Sequence, residues 1–331
     1  MARRAAHVYF SGLLGADHGP PNPKSQEPPL YDQITANKRR SVLLVAAFVV
    51  LVMAVAWGFN LVLGYGVAGL VVALVVAGAT SFGAWWCSDA IALRMSHAQP
   101  ASEVDHARLH NLVEGLCIAA GLPKPRLFVV DDPAPNAFAT GRDPRHGAVA
   151  VTTGLLQKLN RVELEGVLAH ELSHVKNYDT LVSTLAVTLV GVMTLLSDFA
   201  LRFLWWGGPR HRNNRSGGAG PGALIGLLGI VLLVVAPLVG RLMQFAVSRR
   251  RELLADVTAV SLTRYPPGLI SALGKLRDDR TVVHSASRAT AHLWIESPLN
   301  RVSSEGHGAW LNRLFDTHPP LEERIAALQE L

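Results

Sequence analysis

Apolar residues fall into two patterns along this chain: long unbroken runs, and shorter stretches that alternate with polar positions. The unbroken runs are Ser41–Leu63, Val67–Trp86, Leu181–Trp206 and Ala223–Val247. As a helix, each is long enough to cross a hydrocarbon core of about 30 Å. The first two carry no charge and meet at the link Gly64-Tyr65-Gly66, so they read as a membrane hairpin. Their length and missing polar faces argue against two buried core helices. In the third run Asp198 and Arg202 stand four apart and can pair near an interface, and Trp205 and Trp206 close it as an aromatic belt would. Pro237 kinks the fourth, which membrane helices tolerate. All four are expected to span.

The patterned stretches lie between and after these runs. Residues 102–121 predict a helix with Ser102 as N-cap and Gly121 as stop. "RLFVV", "NAFAT" and "GAVAVT" are short strand-like runs separated by Pro, Gly and Asp, enough for a small sheet or hairpin. "NRVELEGVLAHELSHVKN" opens with Asn160 as cap and Glu163 at the third position, close to a capping box. Its Leu164, Val167, Leu168, Leu172 and Val175 keep helical period, and the helix points towards the third run. Beyond the fourth run, "SRRRELLADVTAVSLT", "PPGLISALGKLRD" and "HPPLEERIAALQEL" read as three further helices. The implied organisation is a Pro-rich disordered tail over residues 1–40, a membrane hairpin at 41–86, and a first catalytic half at 87–180. A second membrane hairpin at 181–247 and a second catalytic half at 248–331 complete it.

Composition agrees with that division. Half of the 331 residues are hydrophobic and only 17% are charged, and the four runs hold the excess. The formal charge of +6 comes largely from Lys and Arg beside the runs, which points to the lipid bilayer and its anionic headgroups rather than to nucleic acid. No nucleic-acid module is present. The only Gly-Lys pair, Gly274–Lys275, lacks a phosphate loop around it, so no ATP is expected to bind this chain. Two cysteines, Cys87 and Cys117, are too few for a disulfide framework or a thiolate metal site. The N-terminus has a basic start but a poor apolar stretch, unlike a signal peptide. Lys38, Arg39 and Arg40 flank the first run, which places the N-terminus, residues 87–180 and residues 248–331 on the cytoplasmic side. Arg202, Arg210, Arg212 and Arg215 fall on the far side in this arrangement and count against it.

One short segment carries chemistry. In "AHELSHVKNYD", His170 and His174 stand four apart, one turn of a helix, as two imidazoles on one tetrahedral metal require. Glu171 points beside that face, where it could take a proton from a water held by the metal. By chance the pattern arises in roughly one in fifty chains of this composition, so a third ligand has to decide. No third histidine follows at short spacing. Glu252 in "RRRELLAD" is the candidate, with Asp256 four residues on and able to accept a hydrogen bond from a ligating imidazole. His174 precedes the third run by about 10 Å of helix and Glu252 follows the fourth by about 8 Å. An antiparallel pair of spans brings both to the same height.

These pieces together resemble the HtpX-type membrane zinc metalloproteases, which are related to the eukaryotic CAAX prenyl proteases. The resemblance is carried by "PNAFATG" (135–141), "TTGLL" (152–156), "HELSH" (170–174), "SRRRELLAD" (248–256) and "THPPLEERIAAL" (317–328). It implies an α+β, mainly α fold: four transmembrane helices with a zincin (gluzincin-like) catalytic domain carrying a small β-sheet. The HExxH and ExxxD helices then continue from the third and fourth spans. It implies one Zn2+ per chain on His170, His174 and Glu252, with Glu171 activating water. It further implies ATP-independent quality control of membrane or misfolded proteins at the bacterial inner membrane, linked to heat or envelope stress, with self-cleavage as a property of the family. Two readings stay beside it: a processing protease with one dedicated substrate, and a non-catalytic membrane scaffold, against which all three ligands and the base are present. Residues Asn136, Ala137, Phe138, Ala139 and Thr140 could hold substrate as an added strand, or be an ordinary hairpin strand. His318 could stabilise the oxyanion with Arg324 as a supporting charge, or simply cap the last helix.

Overall fold

A computed structural model describes residues 35–47, 49–50, 53, 66–185, 249–283, 285, 290, 293–296 and 319–331. Helix α1 (Gly66–Met95) covers the second apolar run and continues nine residues beyond it. Gly66, at φ 62°, adopts the left-handed turn that the Gly-Tyr-Gly link calls for. After α1 come β1 (Gln99–Pro100), α2 (Ala107–Ala120), β2 (Arg126–Val130), β3 (Ala137–Thr140), β4 (Ala148–Thr152), α3 (Thr153–Lys158) and α4 (Arg161–Lys176). The second half supplies α5 (Arg249–Thr263), α6 (Pro266–Asp278) and α7 (Leu321–Gln329). The result is a mainly helical α+β fold.

The four strands lie in the order β1-β2-β4-β3. β2 runs parallel to β4, while β1 and β3 are antiparallel edge strands. Every residue of β4 is buried, because the sheet is covered on both faces. Leu127, Val129, Ala139, Val149 and Val151 join the helical core of α2, α4, α5 and α6. Val130, Phe138, Ala148 and Ala150 pack instead with Ala92 and Leu93 of α1 and with Trp294.

Helix α4 is the centre of the molecule, in contact with α2, α5, α6 and β3. Its start is fixed by a complete capping box: Asn160 Oδ1 accepts the Glu163 N–H, and the Glu163 carboxylate accepts the Asn160 N–H. Glu163 is also held by Ser271 and Lys275 of α6 at 2.6 and 2.7 Å, which ties the cap to the neighbouring helix. Gly166 lets α4 and α6 touch, since a Cβ there would stand 2.9 Å from the Leu269 backbone nitrogen.

Three expectations need correction. Helix α2 starts at Ala107 with His106 as N-cap, because Ser102 Oγ accepts the Asp105 N–H in a preceding turn. The N-terminal tail ends earlier than residue 40, since residues 35–40 are already helical and lead into the first apolar run. Helix α4 does not run on into the third run. It stops at Lys176, Tyr178 takes φ 60°, and helical geometry resumes at residue 179. Strand β1 was not expected: two residues, one of them proline, leave no alternation to read. Among the described residues no helix is long and apolar enough to cross a membrane. Most of the first, third and fourth runs lies outside the described residues, as does His318.

Candidate active site

Helices α4 and α5 lie side by side and aim their polar residues at each other. His170 and His174 extend from α4 with ring centroids 4.7 Å apart, and Glu252 and Asp256 extend from α5. His170 Nε2 and His174 Nε2 are 3.1 Å apart. The Glu252 carboxylate oxygens lie 3.5 Å from the first and 3.6 Å from the second. Ligands about 2.1 Å from a tetrahedral centre stand about 3.4 Å from one another, so these three side chains have the spacing of one metal's shell. His170, His174 and Glu252 form the metal-competent cluster among the described residues.

Proton positions make the same point. Asp256 Oδ1 is 2.9 Å from His170 Nδ1, and Asp179 Oδ2 is 3.1 Å from His174 Nδ1. Burial pushes the Asp256 carboxyl up, but Arg324 and His170 outweigh burial and hold it below the usual range. A charged Asp256 takes the His170 Nδ1–H, and Asp179 takes that of His174. In that tautomer a metal bound between the rings would meet the Nε2 lone pair of each, beside the Glu252 carboxylate. The donor set, two imidazoles and one carboxylate, fits Zn2+ with a fourth position open.

Glu171 is buried, at 2% exposure, within electrostatic reach of His170, His174, Glu252 and Arg324. Burial pushes its carboxyl up, against the pull of both histidines. Arg324, the expected supporting charge for His318, makes its described contacts at the metal-competent cluster. Fully buried on α7, it grips both Asp256 oxygens, Nε to Oδ2 at 2.9 Å and Nη2 to Oδ1 at 2.6 Å. Its Nη1 reaches the Ile295 carbonyl at 3.3 Å and lies 3.7 Å from Glu252. The last helix is thus bolted to the metal site. Asp179 and Asn37 were missed altogether. An aspartate five residues after His174 was the only available sign, and it carries little weight until α4 is seen to turn at Tyr178.

The expected substrate strand is an edge strand, but its outer edge is not open throughout. Ile295 donates its N–H to the Ala137 carbonyl at 2.9 Å, and Trp294 pairs with Phe138, their rings 4.7 Å apart. The Asn136 amide donates to the Glu296 carbonyl and accepts the Glu296 N–H. Residues 136–138 are therefore covered by the chain itself. Ala139 and Thr140 are buried as well, at 5% and 0% exposure, with Thr140 Oγ1 3.0 Å from Thr184 Oγ1. The free cysteines, Cys87 and Cys117, play no part in the site.

Comparison with known proteins places this geometry in a family. Residues 103–331 match peptidase family M48. The chain is 43% identical to the protease HtpX homologue of Lactobacillus helveticus over 309 residues, covering 91% of this chain and 100% of that protein. It is 41% identical to the protease HtpX homologue of Ligilactobacillus salivarius, with the same coverage. A crystal structure of S. mikatae Ste24p aligns with TM-score 0.45 and 19% identity, over 90% of this chain and 67% of that one. By the family match across the HExxH and ExxxD helices, and by its likeness to full-length HtpX homologues, this chain belongs to peptidase family M48 and is a metalloprotease.

Proposed function

We propose that the protein is an integral membrane zinc endopeptidase that hydrolyses peptide bonds of membrane or misfolded proteins without ATP, in quality control. The observation that carries this reading is the convergence of His170 Nε2, His174 Nε2 and the Glu252 carboxylate on one point beside buried Glu171. Zinc bound there supplies Lewis acidity, polarising the scissile carbonyl and acidifying the attacking water. Asp256 and Asp179 hold the two imidazoles in the ligating tautomer. Glu171 takes the proton as water oxygen bonds to the carbonyl carbon, and gives it to the amine nitrogen as the C–N bond breaks. Burial keeps that carboxyl away from bulk water, which favours its return to the neutral acid between the two transfers. Substrate is held as an added strand alongside residues 136–140, by main-chain hydrogen bonds that tolerate many sequences, once the cover over that edge is displaced.

The membrane assignment is supported by α1, whose Val67, Val71, Val72, Leu74, Val75, Phe82 and Trp86 are all exposed large apolar side chains on one helix. Lipid or a neighbouring span would cover them. In this reading residues 41–86 and 181–247 form two membrane hairpins, and residues 87–180 and 248–331 form one catalytic unit. The shared core of α2, α4, α5, α6 and α7 supports the last point. The active site faces the cytoplasm of a bacterial cell. Casein digestion by the purified protein tests the enzyme reading. Cleavage is expected to stop on adding a chelator and return on adding zinc, and cleavage indifferent to chelation would end it.

A further inference from the structure

The two imidazoles of the site are held in the same way but from opposite ends of the chain. His170 is held by Asp256, and Asp256 by Arg324 of the last helix. His174 is held by Asp179, whose second oxygen accepts a 2.7 Å hydrogen bond from Asn37 Nδ2. Asn37 lies in the helical segment 35–47, just ahead of the first apolar run. Its amide also donates to the Asn177 carbonyl at 2.9 Å, on the turn where α4 ends. Lys38 lies 4.5 Å over the Tyr178 ring, against the same turn. Asn37 and Asp179 are 2% and 4% exposed, so their contacts are not in competition with water. Arg251 Nη1, at 3.7 Å, adds a charge beside the Asp179 carboxylate.

We infer that Asn37 and Asp179 are positioning residues of the metal site, which makes the N-terminal helix a working part of the catalytic unit rather than a membrane anchor alone. The inference rests on the zinc reading above. Asp179 fixes the His174 ring with Nδ1 protonated and Nε2 turned to the metal. Asn37 fixes the Asp179 carboxylate and at the same time satisfies a carbonyl at the end of α4. The N-terminal clamp is the softer of the two, because a neutral amide grips one oxygen where Arg324 grips two with a charge. Displacement of the helical segment 35–47 therefore reaches His174 before it reaches His170.

Zinc affinity of the full-length protein in detergent, measured by competition with a chelating dye, tests this. Asp179→Ala is expected to bind zinc about 10- to 100-fold more weakly. Asn37→Ala should lose about 3- to 10-fold, and the double variant should bind no more weakly than Asp179→Ala alone. Asn37→Asp keeps the side-chain volume and removes the donor, so it should weaken zinc even if Asn37→Ala fails to fold. Lys38→Ala removes the contact to the Tyr178 ring and leaves the Asn37–Asp179 hydrogen bond in place. Cobalt loaded in place of zinc should show shifted visible bands in the Asn37 and Asp179 variants and unshifted bands in Lys38→Ala. Wild-type protein that holds no zinc would sink the zinc reading itself. Wild type that holds zinc, with both Asn37 variants binding equally well or with penalties that add in the double variant, would overturn only the clamp.

Discussion

At the residue scale, the site separates groups placed to hold a metal from groups that aim those groups. Glu252 presents its carboxylate to both Nε2 atoms, whereas Asp256 acts on one imidazole from behind. Glu252→Ala should therefore lose zinc outright, while Asp256→Ala should bind it about 10- to 100-fold more weakly. Equal zinc content in wild type and Glu252→Ala moves the third ligand elsewhere. Arg324→Ala strands a buried carboxylate and should cost about 3–5 kcal/mol of stability, measured by thermal unfolding. Arg324→Lys should not restore it, since one ammonium cannot match two parallel bonds to Asp256. The cluster of His170, His174 and Glu252 was legible in the sequence because a helix converts spacing into direction. Arg324 was legible only as a charge: its partner lies 68 residues away, and no local pattern names it.

At the scale of elements, most boundaries followed from local chemistry. The Asn160–Glu163 box, Gly121 at φ 65° and the proline opening α6 are signals whose cause lies within one turn. The end of α4 was not legible, because the turn at Tyr178 is held by long-range contacts from Asn37 and Lys38. Two predictions belong here. Gly166→Ala should push α4 from α6 at Leu269 and destabilise the protein by about 1–3 kcal/mol in denaturant unfolding. A wild-type unfolding curve would mean the helices are not in contact there. The second concerns pH. Burial raises the Glu163 carboxyl, but hydrogen bonds from Lys275, Ser271 and the Asn160 N–H outweigh it, and its folded pKa lies below the usual value. Its stabilisation is thus complete above the unfolded value of about 4.3 and is lost as pH falls through the lowered folded value. The melting temperature of wild type should fall more steeply than that of Glu163→Gln below about pH 4.3. Parallel slopes would remove Glu163 from the account.

At the scale of the whole molecule, the site is assembled from both halves of the chain, which the two long apolar runs separate in sequence. In the proposed topology both halves lie on one side of the membrane, and the basic cluster at Lys38, Arg39 and Arg40 argues that this side is cytoplasmic. A cysteine at Ser216, in protein lacking Cys87 and Cys117, should react with an impermeant reagent on spheroplasts, and one at Ser303 should not. The reverse pattern inverts the topology, and protection of both means that the third and fourth runs do not cross. Family and chemistry were legible in short motifs, whereas the cover on β3 by Trp294 and Ile295 was not, being a meeting of segments some 150 residues apart with no shared pattern. The claim that joins all three scales is that α4 and α5 build one zinc site in which Glu171 moves the proton. Zinc content and casein cleavage, measured together on Glu171→Gln, test it most directly. The expected result is one zinc per chain, as in wild type, with cleavage abolished; cleavage near the wild-type rate would contradict it.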